Sequence, residues 1–192
     1  MPDELAELEA LFRGHAQRLR AWLSRRIPAT LAPRIDPEDV LQEAFELARA
    51  KYAAFKAQSA LPAYPWIYGV VRDAYHRLWE RHTRDCRDAQ NELPWPDASS
   101  VQLGLGLIAP GRTPSETVAQ EELRGRVLRA MELLSDADKE LLAMRYWEGF
   151  SFAEISAVLG LAETAARVRH ARALKRFRDL WQALNSGAGG QP

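Results

Sequence analysis

Ser151-Phe-Ala-Glu154 opens a short apolar run, Gly160 breaks it, and a helical stretch from Glu163 to Arg178 follows with six Lys and Arg residues and, after Glu163, no acid. The Ser151 hydroxyl can cap the first helix, and Glu154, three residues on, can reach back to the cap's own N–H. Ile155, Val158 and Leu159 recur at helical spacing, and Gly160 suits a C-cap that needs a positive φ. The pattern predicts a helix-turn-helix whose second helix is cationic.

In that second helix Ala166, His170, Ala173, Leu174, Phe177, Trp181 and Leu184 share one face, while Arg169, Arg172, Lys175 and Arg176 project elsewhere. One face packs and the other suits a polyanion. The N-terminal part of such a helix enters the DNA major groove, which makes Glu163, Thr164, Arg167 and Val168 candidates for base edges. Arg172 and Lys175 are better placed for phosphates, and Arg169 completes the recognition set. An isolated basic stripe is usually a solvated face, but here the capped helix and glycine turn that precede it favour DNA binding.

A chain of 192 residues with 47% hydrophobic content can build packed cores. The expectation is an all-α protein of two small helical domains. No apolar stretch approaches about 18 residues, and the N-terminus alternates acids with leucines, so a soluble, cytoplasmic protein is expected. The single cysteine, Cys86, has no second thiol for a disulfide or a typical zinc site. Lys and Arg total 26 and Asp and Glu 26, yet the charge is segregated: ten acids against five bases from Glu116 to Glu163, then six bases against none from Thr164 to Arg178. A neutral protein with one basic helix should bind naked DNA poorly, which hints at a larger partner.

Pro94, Pro96, Pro110 and Pro114, with Gly104, Gly106 and Gly111, mark residues 92–114 as a linker between residues 1–91 and 115–184, with 185–192 a disordered tail. Val101, Leu103, Leu105, Leu107 and Ile108 within it suit a docking segment, a brief helix or loose packing on one domain. In the N-terminal half, Leu5, Leu8, Phe12, Leu19, Trp22 and Leu23 give a first amphipathic helix ending before Pro28. Asp36 caps a second, with Pro37 at its first position. Val40, Leu41, Ala44, Phe45 and Ala48 form its apolar side, and Asp39, Gln42, Glu43 and Glu46 the opposite one. A third helix runs from about Trp66 to Arg87. In the C-terminal half, Thr113-Pro114-Ser115-Glu116 and Ser135-Asp136-Ala137-Asp138 both read as caps with an acid three residues on. Leu128, Met131, Leu133, Leu134, Leu141, Leu142, Met144, Tyr146 and Trp147 supply a core beneath the helix-turn-helix.

Two patterns resemble the extracytoplasmic-function (ECF) class of bacterial sigma factors. Asp36-Pro-Glu-Asp39-Val-Leu-Gln42-Glu43-Ala-Phe45, followed by Pro65-Trp66-Ile67-Tyr68-Gly-Val70-Val71-Arg72, is similar to the family's region 2. Leu141-Leu-Ala-Met-Arg145-Tyr146-Trp-Glu148-Gly149-Phe-Ser151-Phe-Ala-Glu154-Ile155, continuing through Arg172-Ala173, is similar to region 4. Ala162, Asp73 and Arg77 depart from the residues usual at their positions, which bears on promoter sequence rather than on the family.

The resemblance implies that region 2 docks on core RNA polymerase and opens the minus-ten promoter element, that region 4 reads the minus-thirty-five element, and that an anti-sigma factor is a candidate partner. Asp39, Gln42, Glu43 and Glu46 would then form the polymerase-binding face, where charge complementarity orients docking. Arg72, Tyr75, His76 and Trp79 would meet the single strand, phosphates on cations and bases on rings. The loop from Lys56 to Tyr64 is where a family member captures a flipped base. No cofactor, metal or catalysis is expected, because phosphate-loop, His-Glu-x-x-His and placed-nucleophile patterns are all missing from the sequence. The rival is a helix-turn-helix repressor or activator acting without polymerase, which predicts tight binding of a palindromic duplex by the protein alone.

Overall fold

The computed structural model describes residues 2–29, 31–58, 61–83, 95–108 and 118–186. Every regular element among them is an α-helix: α1 (Pro2–Arg26), α2 (Pro37–Gln58), α3 (Ala63–Thr83), α4 (Asp97–Ile108), α5 (Val118–Glu132), α6 (Asp136–Tyr146), α7 (Phe152–Leu159) and α8 (Glu163–Ser186). The all-α class expected from the sequence is therefore observed. Described residues within 1–93 and 157–160 form one compact unit, and those within 94–156 and 161–192 the other.

In the first unit α1, α2 and α3 pack against one another. α1 buries Leu8, Leu19, Trp22 and Leu23, whereas Leu5, one turn earlier, stays exposed. Asp36 caps α2 as expected, its Oδ1 accepting from the Glu38 N–H at 2.8 Å, and Pro37 stands where a helix has no use for a donor. Val40, Leu41, Ala44 and Ala48 face inward from α2. α3 begins three residues before Trp66, and Pro65 is tolerated because it lies in the first turn. Trp22 is the hub of this core, 5.0 Å from the Tyr68 ring and 6.1 Å from the Tyr75 ring, both in edge contacts.

The second unit includes a helix where the sequence suggested a linker. α4 packs on α5 and α6, with Leu103 buried among Val127, Met131 and Leu134. Trp95, just ahead of α4, is buried with its ring 5.7 Å from that of Trp147. Leu103 is thus core, with Leu105, Leu107 and Ile108 half-buried against it, and the segment the sequence left open is a brief helix packed on the second unit. The cap expected at Thr113-Pro114-Ser115-Glu116 and the tail from 187 lie outside the described residues.

Ser135 caps α6, accepting from the Asp138 N–H at 3.2 Å. α6 then buries Leu141, Leu142 and Met144. After it, Gly149 at φ +71° turns the chain, and the N–H groups of Glu148 and Phe150 return to the carbonyls of Ala143 and Met144. Among the residues expected in this core, Leu128 is only half-buried, with Val127 taking the inward position, and two are outside it. Leu133 is 61% exposed, since it sits in the turn after α5 and Leu134 takes the inward position, and Tyr146 is 48% exposed.

Candidate functional site

The capping box at the start of α7 is complete in both directions: the Glu154 N–H donates to Ser151 Oγ at 3.2 Å, and the Ser151 N–H donates to Glu154 Oε2 at 2.6 Å. Gly160 adopts φ +65°, as the turn requires. The Leu161 N–H returns to the Ser156 carbonyl at 2.9 Å, and the Ala166 N–H to that of Ala162 at 3.0 Å, so α8 starts without a hydroxyl cap. α8 packs against α5 and α6. Ala166, Ala173 and Phe177 are buried, and Leu174, Trp181 and Leu184 are packed onto the same cluster, as the periodicity predicts.

The remainder of α8 carries the charge. Glu163, Thr164, Arg167, Val168, Arg172 and Lys175 are exposed, and the 49% exposure of Val168 leaves an apolar side chain free amid polar ones. Arg167 is held to Glu163 one turn earlier at 2.5 Å and lies 4.7 Å from the centroid of the Phe152 ring. Lys175 pairs with Asp179 at 2.6 Å. Both are exposed i,i+4 pairs, worth about 0.3 to 0.5 kcal/mol, and release readily to a phosphate. Arg172 and Arg178 form no ion pair among the described residues.

Arg169 stands apart from the others of the recognition set. Its Nε donates to Asp138 Oδ1 of α6 at 2.9 Å, and Arg176, two turns on, donates from Nη1 to Asp138 Oδ2 at 3.2 Å. The cap pattern anticipated an acid at 138 reaching back to its own cap; the carboxylate turns to α8 instead. Neither this pairing nor the surface stack of Tyr146 on His170, at 5.8 Å and 24°, is legible from spacing. Burial foremost, then the charges of Arg145 and Arg178, hold the His170 imidazole below its ordinary pKa.

On α2, Asp39, Gln42 and Glu46 are exposed at helical spacing and form one polar face. Glu43 is half-buried and bonded to Arg81 of α3 at 2.7 Å, so its charge is partly neutralised within the unit. Glu46 has a lighter partner, Arg49, at 3.0 Å.

The residues expected to meet a single strand diverge. Arg72 and His76 are half-buried, and Trp79 is half-buried with its ring centroid 6.4 Å from that of Tyr75 in an edge contact. Tyr75 itself is fully buried, its hydroxyl donating to the Arg26 carbonyl at 2.9 Å. A ring with no exposed face cannot stack on a base, so Tyr75 is corrected to a core residue that ties α3 to the end of α1. Beside the loop expected to capture a base, Phe55 and Trp66 stack at 4.2 Å and 17°, with Tyr52 5.9 Å from Trp66; residues 59 and 60 of that loop lie outside the described set.

Among the described residues no helix is long and apolar enough to cross a membrane. The family model of sigma-70 region 4 matches residues 124–177, which is α5 through most of α8. The ECF RNA polymerase sigma-E factor of Escherichia coli K12 is 26% identical over 170 residues, covering 88% of this chain and 84% of its own length. The probable RNA polymerase sigma factor RfaY of Xanthomonas campestris pv. campestris is 29% identical over 155 residues, 80% of this chain, which spans only 36% of that relative. In fold, the chain resembles one from the co-crystal structure of the sigma factor RpoE with the anti-sigma factor NepR from Bartonella quintana, at TM-score 0.53 and 19% identity, covering 95% of this chain and 98% of that one. Alignment with sigma factors along both halves, beyond the region 4 segment alone, places this chain in the ECF class of RNA polymerase sigma factors.

Proposed function

We propose that the protein docks on core RNA polymerase through α2, engages the opened minus-ten element along α3, and reads the minus-thirty-five element with α8, working in the cytoplasm without catalysis of its own. The observation that carries this reading is α8: one face is packed onto α5 and α6, and the other presents Thr164, Arg167, Val168, Arg172 and Lys175 behind a capped helix and a glycine turn. Its N-terminal side chains suit base edges and its later cations suit phosphates. Asp39, Gln42 and Glu46 are the exposed docking residues on α2, and promoter melting follows from preferential affinity for the open strand. An anti-sigma factor is the proposed regulator, as the fold neighbour is complexed with one. The rival regulator reading, acting without polymerase, leaves unexplained why the sigma-E relative aligns over both halves.

The test is co-elution with bacterial core RNA polymerase, comparing the native chain with an Asp39→Arg, Gln42→Arg variant. Both sites are exposed, whereas reversing Glu43 would set it against Arg81. Co-elution abolished in the variant is expected. A native chain that fails to co-elute overturns the reading.

A further inference from the structure

The α6 carboxylate at 138 is only 8% exposed, yet it accepts from two arginines of α8 that lie on one face two turns apart. Its backbone N–H is held by the Ser135 cap, and the acid sits in the first turn of α6, where the helix dipole favours a negative charge. The backbone of Asp138 is therefore held by the cap of its own helix, its carboxylate is favoured there by the dipole, and charge-assisted bonds draw Arg169 and Arg176 toward α6. Arg167 and Lys175 are held differently, by exposed acids on α8 itself that are as free to move as they are.

The geometry points to Asp138 as a positioning residue that determines which cations α8 presents to DNA. It keeps Arg169 and Arg176 turned back onto the protein, leaves Arg172 and Arg178 outward, and lets Arg167 and Lys175 exchange their acids for phosphates. Two guanidinium groups share one carboxylate, so this cluster offers a net charge of one where two free arginines would offer two. The consequence is lower sequence-independent affinity, since that term grows with each phosphate neutralised. This inference rests on α8 being the recognition helix, though not on polymerase docking.

The experiment is isocratic retention of the full chain on immobilised duplex DNA of unrelated sequence across a salt series. Asp138→Asn should steepen the log–log salt dependence by roughly 0.9 for each arginine released, up to about 1.8. Glu80→Gln, an equal change in net charge at an exposed α3 site, should leave the slope unchanged. Equal slopes for the two variants overturn the proposal. If Asp138→Asn does not fold, the native background decides: Arg172→Gln should lower the slope by about 0.9 and Arg169→Gln by less than half of that, and equal reductions overturn it. Polymerase is absent throughout, so failure of the co-elution test would leave this result standing.

Discussion

A Cβ placed on Gly104 of α4 would stand 2.4 Å from Cγ1 of Val127 on α5, and 3.0 Å from Cγ of Met131. The two helices meet at that point because no side chain lies between them. Val127 and Met131 are fully buried and cannot swing aside. Gly104→Ala should therefore destabilise the unit by about 1 to 3 kcal/mol through overpacking, in spite of the gain in helix propensity. Gly106→Ala, with nothing within 4 Å, should stabilise it by up to about 1 kcal/mol. Denaturant unfolding of both variants checks the opposite signs.

The reciprocal bonds between Ser151 and Glu154 predict a measurable cap. Ser151→Ala should cost about 0.5 to 2 kcal/mol. Glu154→Ala should cost less, and the double variant less than the sum, because each bond supports the geometry of the other. Thermal melts of the three variants suffice.

Tyr75→Phe keeps the ring and removes only the hydroxyl that donates to the Arg26 carbonyl. Loss of about 1 to 3 kcal/mol is expected, the penalty for leaving a buried carbonyl without its donor. Were the hydroxyl dispensable, the melting temperature would not move.

Stability should fall as pH drops below 6.5. The His170 pKa is lowered from 6.5, first by burial and then by Arg145 and Arg178, and that of His15 is lowered by burial and then by Arg18. Each folded imidazole thus resists a proton that the unfolded chain accepts at 6.5. Their contribution is complete above that pH and is lost as pH falls through the lower folded value. The buried Nε2 of His170 has no hydrogen-bond partner among the described residues, which gives a proton there no acceptor. Melting temperatures between pH 7.5 and 5.5 should slope upward with pH for the native chain, and less for His170→Gln.

Local chemistry was legible along the chain wherever the deciding partners lie within a few residues. The Ser151–Glu154 box, the Asp36 cap, the Ser135 cap and the positive φ of Gly160 all depend on groups no more than three positions apart. The buried stripe of α8 followed from the 3.6-residue period, which needs only that some core exist on one side. Glycine and proline density misled at residues 97–108, because composition reports what a segment tolerates alone and not what it gains by packing. Two glycines weaken α4 as an isolated helix by about 1 kcal/mol each, yet one of them is what admits Val127.

The sequence by itself determined α1, α2, α3, α7 and α8, the caps at Asp36, Ser135 and Ser151, the polar face of α2 and the basic face of α8, since period and capping are properties of short stretches. Only the tertiary structure decided which of those exposed-looking groups are available. Tyr75 of α3 fell inside because it packs against Trp22 and Arg26 of α1, Glu43 was taken by Arg81, and Arg169 and Arg176 were taken by Asp138, more than thirty positions away from either. Pairing between charges depends on distance in space, and helix periodicity carries no information about which helix lies opposite.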